Sequence, residues 1–168
     1  MHADDARLLI EYHYWARDRV LQAVEPLLAE QYARELGGSF PSIRGTLVHL
    51  YSAEWVWHAR WQGETPTAML SPDAFPDLPT LRRAWDEHRA AVTAYLGSLD
   101  DRSFETPLDY RTMDGRPWRH SLWHQLQHVV NHASYHRGQV TTKLRQLGAA
   151  SPKSQDLIAF YRERLHDG

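Results

Sequence analysis

The sequence predicts an all-α fold, an up-and-down four-helix bundle with one long crossover, a short hairpin or loop before the last long helix, and a C-terminal helix. Three observations predict it. Long stretches repeat apolar side chains at the i, i+3, i+4 spacing of helices. Gly, Pro or a capping hydroxyl stands at most of their boundaries. Only residues 105–119 alternate as a strand pair would.

Helix one spans residues 3–24, with Leu8, Leu9, Tyr12, Trp15, Ala16, Val20 and Ala23 on its apolar side, and ends at Glu25-Pro26. After the Gly37-Gly38 turn, Ser42 is placed to cap helix two, which runs to Trp61 before Gly63 stops it. Residues 63–79 hold four prolines and little periodicity, so they read as a long connection across the bundle. Thr80 is expected to cap helix three, which carries Leu81, Trp85, His88, Val92 and Leu96 up to Gly97. Asp114-Gly115 marks the turn of the short hairpin or loop. Ser121 then caps a fourth helix reaching Leu147, with Gly148 as its stop, and Ser154 is expected to cap a last one ending near Leu165.

A length of 168 residues suits one domain over the whole chain, 1–168, and 42% hydrophobic with 11% aromatic residues is ample for a core. Nineteen Lys and Arg are interspersed with twenty-one Asp and Glu, for a net charge of −2. That pattern argues against a nucleic-acid or anionic-membrane surface, which needs a concentrated basic patch. The absence of Cys excludes disulfides, thiolate ligands and a cysteine nucleophile, so any metal must be held by His, Asp or Glu. No stretch approaches the ~20 apolar residues of a membrane span, and the acidic N-terminal segment lacks a signal-like apolar run. A cytoplasmic location is expected.

Histidine is in excess, with eleven residues, five of them at positions 120, 124, 128, 132 and 136 of helix four. Side chains four apart share a face but drift by about 40° per step, so five cannot converge on one point. The apolar stripe of that helix (Leu122, Leu126, Val129, Ala133, Val140, Leu144, Leu147) is centred within about 40° of His136 and about 80° of His132, against about 120° for His128. His132 and His136 can therefore look into the bundle as an i, i+4 metal-binding pair, while His128, His124 and His120 belong at a boundary or in solvent. A third ligand must come from another helix. Glu54, on the apolar stripe of helix two, suits either support of a ligand or a paired structural acid. Gly138 in mid-helix suggests close approach of another backbone, and Arg137 and Gln139 suggest interhelical or dimer contacts. Trp15, Trp55, Trp57, Trp61 and Trp85 read as core or interface, and His13, His58 and His88 remain unassigned.

The run His128-Val-Val-Asn-His132-Ala-Ser-Tyr-His136-Arg-Gly-Gln139 resembles the last bundle helix of the DinB family. The likeness extends to Tyr14-Trp15-Ala16-Arg17, to Ser39-Phe40-Pro41-Ser42-Ile43, and to Leu47-Val-His49-Leu with Glu54 and Trp57, so it covers essentially the whole chain. It implies a triad of one His from helix two and the pair on the long helix, here His49, His132 and His136. His49 as a ligand rests mainly on this resemblance, because it lies well round from the dominant stripe of its own helix, on a second face with Thr46 and Ala53.

The site so implied holds one divalent ion (Zn, Ni or Fe, with Cu also compatible) and leaves coordination positions open, as catalytic sites do. The resemblance further points to thiol-dependent S-transferases and the mycothiol-dependent maleylpyruvate isomerase of the related superfamily. A low-molecular-weight thiol is thus a candidate cosubstrate beside a small-molecule substrate. A metal-dependent hydrolase and a non-catalytic, stress-associated metal protein are the alternatives, and a DNA-binding role is disfavoured by charge. The seven Trp, together with the habit of the resembled family, lead to an expected homodimer.

Overall fold

The computed structural model, which describes residues 2–166, turns these periodicities into seven helices and one small hairpin. The four long helices are α1 (Ala3–Val24), α3 (Ile43–Trp61), α4 (Leu78–Gly97) and α6 (Leu122–Gln146). Two short helices, α2 (Ala29–Ala33) and α5 (Asp101–Glu105), occupy connections for which the periodicity predicts no helix, each too short to show a period of its own. Buried Tyr32 joins α2 to the core and buried Phe104 does so for α5.

The caps explain most boundaries. Ser42 Oγ accepts the Gly45 N–H at 2.9 Å, and Ser121 Oγ accepts that of His124 at 3.4 Å, both at the expected positions. Helix α4 starts earlier than Thr80, because Asp77 Oδ1 accepts the Thr80 N–H at 2.8 Å with Pro79 in the first turn, where it forfeits no bond. The last helix, α7 (Leu157–His166), starts later than expected. Ser154 Oγ engages the Asp156 N–H at 3.3 Å in a local turn instead of capping it.

Strands β1 (Pro107–Arg111) and β2 (Pro117–Ser121) pair antiparallel, with Asp109 opposite Arg119, around a turn in which Gly115 takes φ +82°. Between α3 and α4 the proline-rich connection contains one 3-10 turn, Pro72–Ala74. Its length follows from helix direction. One end of the core joins Val20, Leu21 and Val24 to Ile43, Leu47, Leu81, Val140 and Leu144, and the other joins Ala3, Ala6 and Ile10 to Trp61, Val92, Leu96, Leu122 and Leu126. Helices α3 and α4 are therefore parallel, and the chain must travel the length of the bundle between them. Helix α1 packs on α4 and α6, as does α3, so α1 and α3 face each other across the bundle.

A polar knot crosses that diagonal. Glu54, 2% exposed, accepts hydrogen bonds from Tyr14 at 2.6 Å and Trp85 Nε1 at 2.8 Å, and His13 Nε2 lies 2.8 Å from it. His88 stands 3.8 Å away, with His58 packed on its ring. Arg17, stacked on Trp85, and Arg137, bonded to Tyr12 and Ser134, complete the buried polar set. Burial raises the energy of a bare carboxylate, but these partners outweigh it and hold Glu54 down at about 2. Glu54 is thus a paired structural acid, and it reaches none of the candidate ligands.

Candidate metal centre

Helix α6 runs antiparallel to α3 and presents Ala133, Val140 and Leu144 to the shared core. The turn flanking Ala133 brings His132 and His136 to the α3 side. From α3, His49 reaches across from the face next to Leu50, and its Nε2 lies 3.1 Å from that of His132. The rings of His49 and His136 are 4.6 Å apart between centroids, and those of His132 and His136 are 4.4 Å apart. One ring nitrogen from each residue falls within 4.8 Å of the others, the only group of at least three His, Asp or Glu so arranged among the described residues. Two nitrogens on one tetrahedral zinc lie about 3.3 Å apart for bonds of 2.0–2.1 Å, so small ring rotations would let all three share an ion.

Two further residues shape the cluster. Gln139 Oε1 is 2.8 Å from His136 Nδ1; the imidazole donates there, which leaves Nε2 as the free lone pair facing the cluster. Phe40, in the segment before α3, stacks on His49 at 3.9 Å and meets His136 edge-on at 5.5 Å, covering one side. The segment is pinned by the Leu36 N–H bonding Pro41 O at 2.7 Å. For Gln139, which the sequence suggests as an interhelical or dimer contact, the signal for this role is its i, i+3 spacing from His136. Phe40 offers none beyond its place in the family-like segment.

Electrostatics favour metal-competent imidazoles. Burial, reinforced by His136, lowers His49 to about 4. Burial first, then His136, His49 and His128, lowers His132 to about 3. Both rings are neutral at pH 7, with a lone pair to give. His128 is exposed and lies against Trp57 at 5.1 Å, outside the group, and His120 and His124 are exposed as well. Arg137 points inward to α1, an interhelical contact as expected. Gly138 does not serve a close approach, since a Cβ there would meet nothing within 4 Å.

A family model, that of the DinB family, matches residues 1–162. The chain belongs to the DinB family. Protein DinB of Bacillus subtilis (strain 168) is 29% identical over 164 residues, covering 94% of this chain and 95% of that protein. The uncharacterized protein YizA of the same organism is 24% identical over 160 residues, covering 93% and 96%. Among solved structures, a DinB-like protein from Bacillus cereus superposes with a TM-score of 0.69 at 18% identity, over 87% of this chain and 95% of that one. YfiT from Bacillus subtilis does so at 0.63 and 20% identity, over 88% and 89%. YfiT is described as a probable metal-dependent hydrolase with an unusual four-helix bundle topology. These structures share the DinB bundle fold with the present chain. In that fold, no described helix is long and apolar enough to cross a membrane.

Proposed function

We propose that this DinB-family chain is a metal-dependent enzyme in which His49, His132 and His136 would hold one divalent ion, which would supply an activated small nucleophile for an electrophilic substrate. The observation that carries the reading is the convergence of three ring nitrogens within 4.8 Å with no carboxylate among them. A donor set of three neutral imidazoles leaves the ion's charge uncompensated, and an ion so held lowers the pKa of bound water to near 7 and deprotonates a bound thiol. The chain's own part is positional. Gln139 fixes the His136 ring, Phe40 shields one side from water, and burial keeps His49 and His132 unprotonated.

Water is the nucleophile favoured here, supported by the description of YfiT as a probable hydrolase. Transfer of a small thiol, the expectation drawn from the family resemblance, is the second reading; a chain without Cys would have to borrow its sulfur. Cobalt-substituted protein separates the two. Chelator-sensitive hydrolysis of an ester or amide, with no sulfur-to-metal absorption on adding bacterial thiols, supports the hydrolase. A charge-transfer band lost in His136→Ala moves the function to thiol transfer, and neither signal in metal-loaded protein leaves a non-catalytic, stress-associated metal protein. Homodimerisation belongs to the same reading. Of the seven tryptophans only Trp118 is exposed, so its support comes instead from the apolar face of α7, with Ile158 and Leu165 uncovered. Sedimentation as a 19.6 kDa monomer at tens of micromolar would remove it.

A further inference from the structure

Next to the triad, where α3, α6 and the hairpin meet, lies a pocket of about 240 Å³ lined by Trp57, Tyr110, His120, His124, Gln125 and His128. It stands one ring away from the ligand cluster, for His128 is on its wall and packs against His132 at 5.8 Å between ring centroids. Its walls are flat and held in place. Trp57 meets Tyr110 at 4.9 Å and His128 at 5.1 Å, while the buried Arg60 guanidinium lies over Trp57 at 4.7 Å and over Tyr110 at 5.4 Å. Ring walls fixed in this way favour a planar guest.

One wall residue is polar and buried. Gln125, 2% exposed, donates through Nε2 to His120 O at 2.9 Å and to Leu108 O at 3.3 Å, which settles the orientation of its amide. Its Oε1 then has no hydrogen-bond partner among the described residues. A buried acceptor without a donor costs about 1–3 kcal/mol, so a guest that supplies an N–H or O–H gains where one that cannot does not.

We propose that this pocket binds the planar, hydrogen-bond-donating part of the substrate, such as an aromatic amine, phenol or indole-like group. Trp57 and Tyr110, packed edge-to-face on each other, form its aromatic wall, Gln125 Oε1 accepts its hydrogen once a small turn of the amide uncovers it, and the reacting group is directed past His128 to the His49, His132 and His136 cluster. Calling the guest a substrate rests on the metal-enzyme reading; the binding itself does not.

The test uses indole and benzofuran, planar bicycles of the same size that differ in the N–H. Each is titrated into the full chain in chelator and again with zinc, with side-chain NMR signals of Gln125 and the histidines as the readout. Indole should shift Gln125, His120 and His128 saturably in both conditions, with benzofuran at least tenfold weaker and Trp57→Leu weakening both probes. Because Gln125 also ties down the hairpin, the deciding measurement is the difference between the two probes on the wild-type chain. No saturable shift, equal binding of the two probes, or shifts centred away from Gln125 would overturn the pocket assignment. Absence of one bound zinc per chain, with indole still bound as expected, would instead count against the metal-enzyme reading and leave the pocket standing.

Discussion

The bundle holds two buried polar clusters, and they are built on opposite principles. Around Glu54 a single carboxylate collects donors from α1 and α4, so its two oxygens find their hydrogen bonds within the chain. Around His49 three imidazoles from α3 and α6 face one another, two of their nitrogens 3.1 Å apart, and no acid joins the group among the described residues. A polar group kept for stability finds its partner in the fold. Imidazoles that find only one another, His49 and His132 sharing a single hydrogen bond, suit a metal partner from outside it.

The largest expected effect would break the first cluster. Glu54→Ala leaves Tyr14, Trp85 and His13 without their acceptor and should lower stability by about 3–5 kcal/mol, measured by urea unfolding. His132→Ala, measured the same way in chelator, should change it by no more than about 1 kcal/mol. A large loss there would mean that the histidine cluster is structural too.

Zinc should reverse that ranking. At a hundredfold excess over Kd, binding adds about 2.7 kcal/mol to the wild type, and nothing to His49→Ala or His136→Ala. Gln139→Ala keeps all three ligands but frees the His136 ring, so zinc affinity should fall about 10- to 100-fold in a competition titration.

Acid separates the clusters by pH. Burial lowers His13 below the usual imidazole range, and burial followed by His88 takes His58 to about 4. In the unfolded chain imidazoles protonate near 6.5, so the unfolded state takes up protons that the fold refuses. The contribution of His58 to stability is complete above about 6.5 and is lost as pH falls toward 4, with His13 acting in the same direction. Glu54, also depressed, holds until the pH drops below its unfolded value of 4.5 and is lost toward 2. Unfolding free energies of metal-free protein should therefore fall in two stages, and Glu54→Gln should remove the lower one. Zinc affinity should decline as pH approaches about 4 and then 3, where His49 and His132 take up protons that compete with metal for the same lone pairs. The smallest effect is a gain: Gly138→Ala meets open space in mid-helix and should raise stability by up to about 1 kcal/mol in thermal melts.

The four helices, the hairpin turn and the caps at Ser42 and Ser121 are legible in the sequence because each rests on local spacing. The His132 and His136 pair is legible from one helical wheel. His49 is not, because α3 is buried round most of its circumference, against α4 on one side and α6 on the other, so no single stripe marks its inward face. Glu54's partners come from elements distant in sequence, and nothing in the spacing of residues 13, 14, 54 and 85 records their meeting. The start of α4 is obscured by a competition between neighbours, Asp77 and Thr80 both being good caps.

Phe40 belongs to neither cluster and is only half-buried, on a short stretch of chain outside any helix. The traffic of an ion into and out of the cluster can follow the breaking of one hydrogen bond, Leu36 N–H to Pro41 O, that frees that stretch with the bundle intact. Exchange of bound for free metal would then keep its rate through concentrations of denaturant that leave the helices folded. Phe40→Ala would quicken it at nearly constant stability, separating how long the ion stays from how firmly the protein stands.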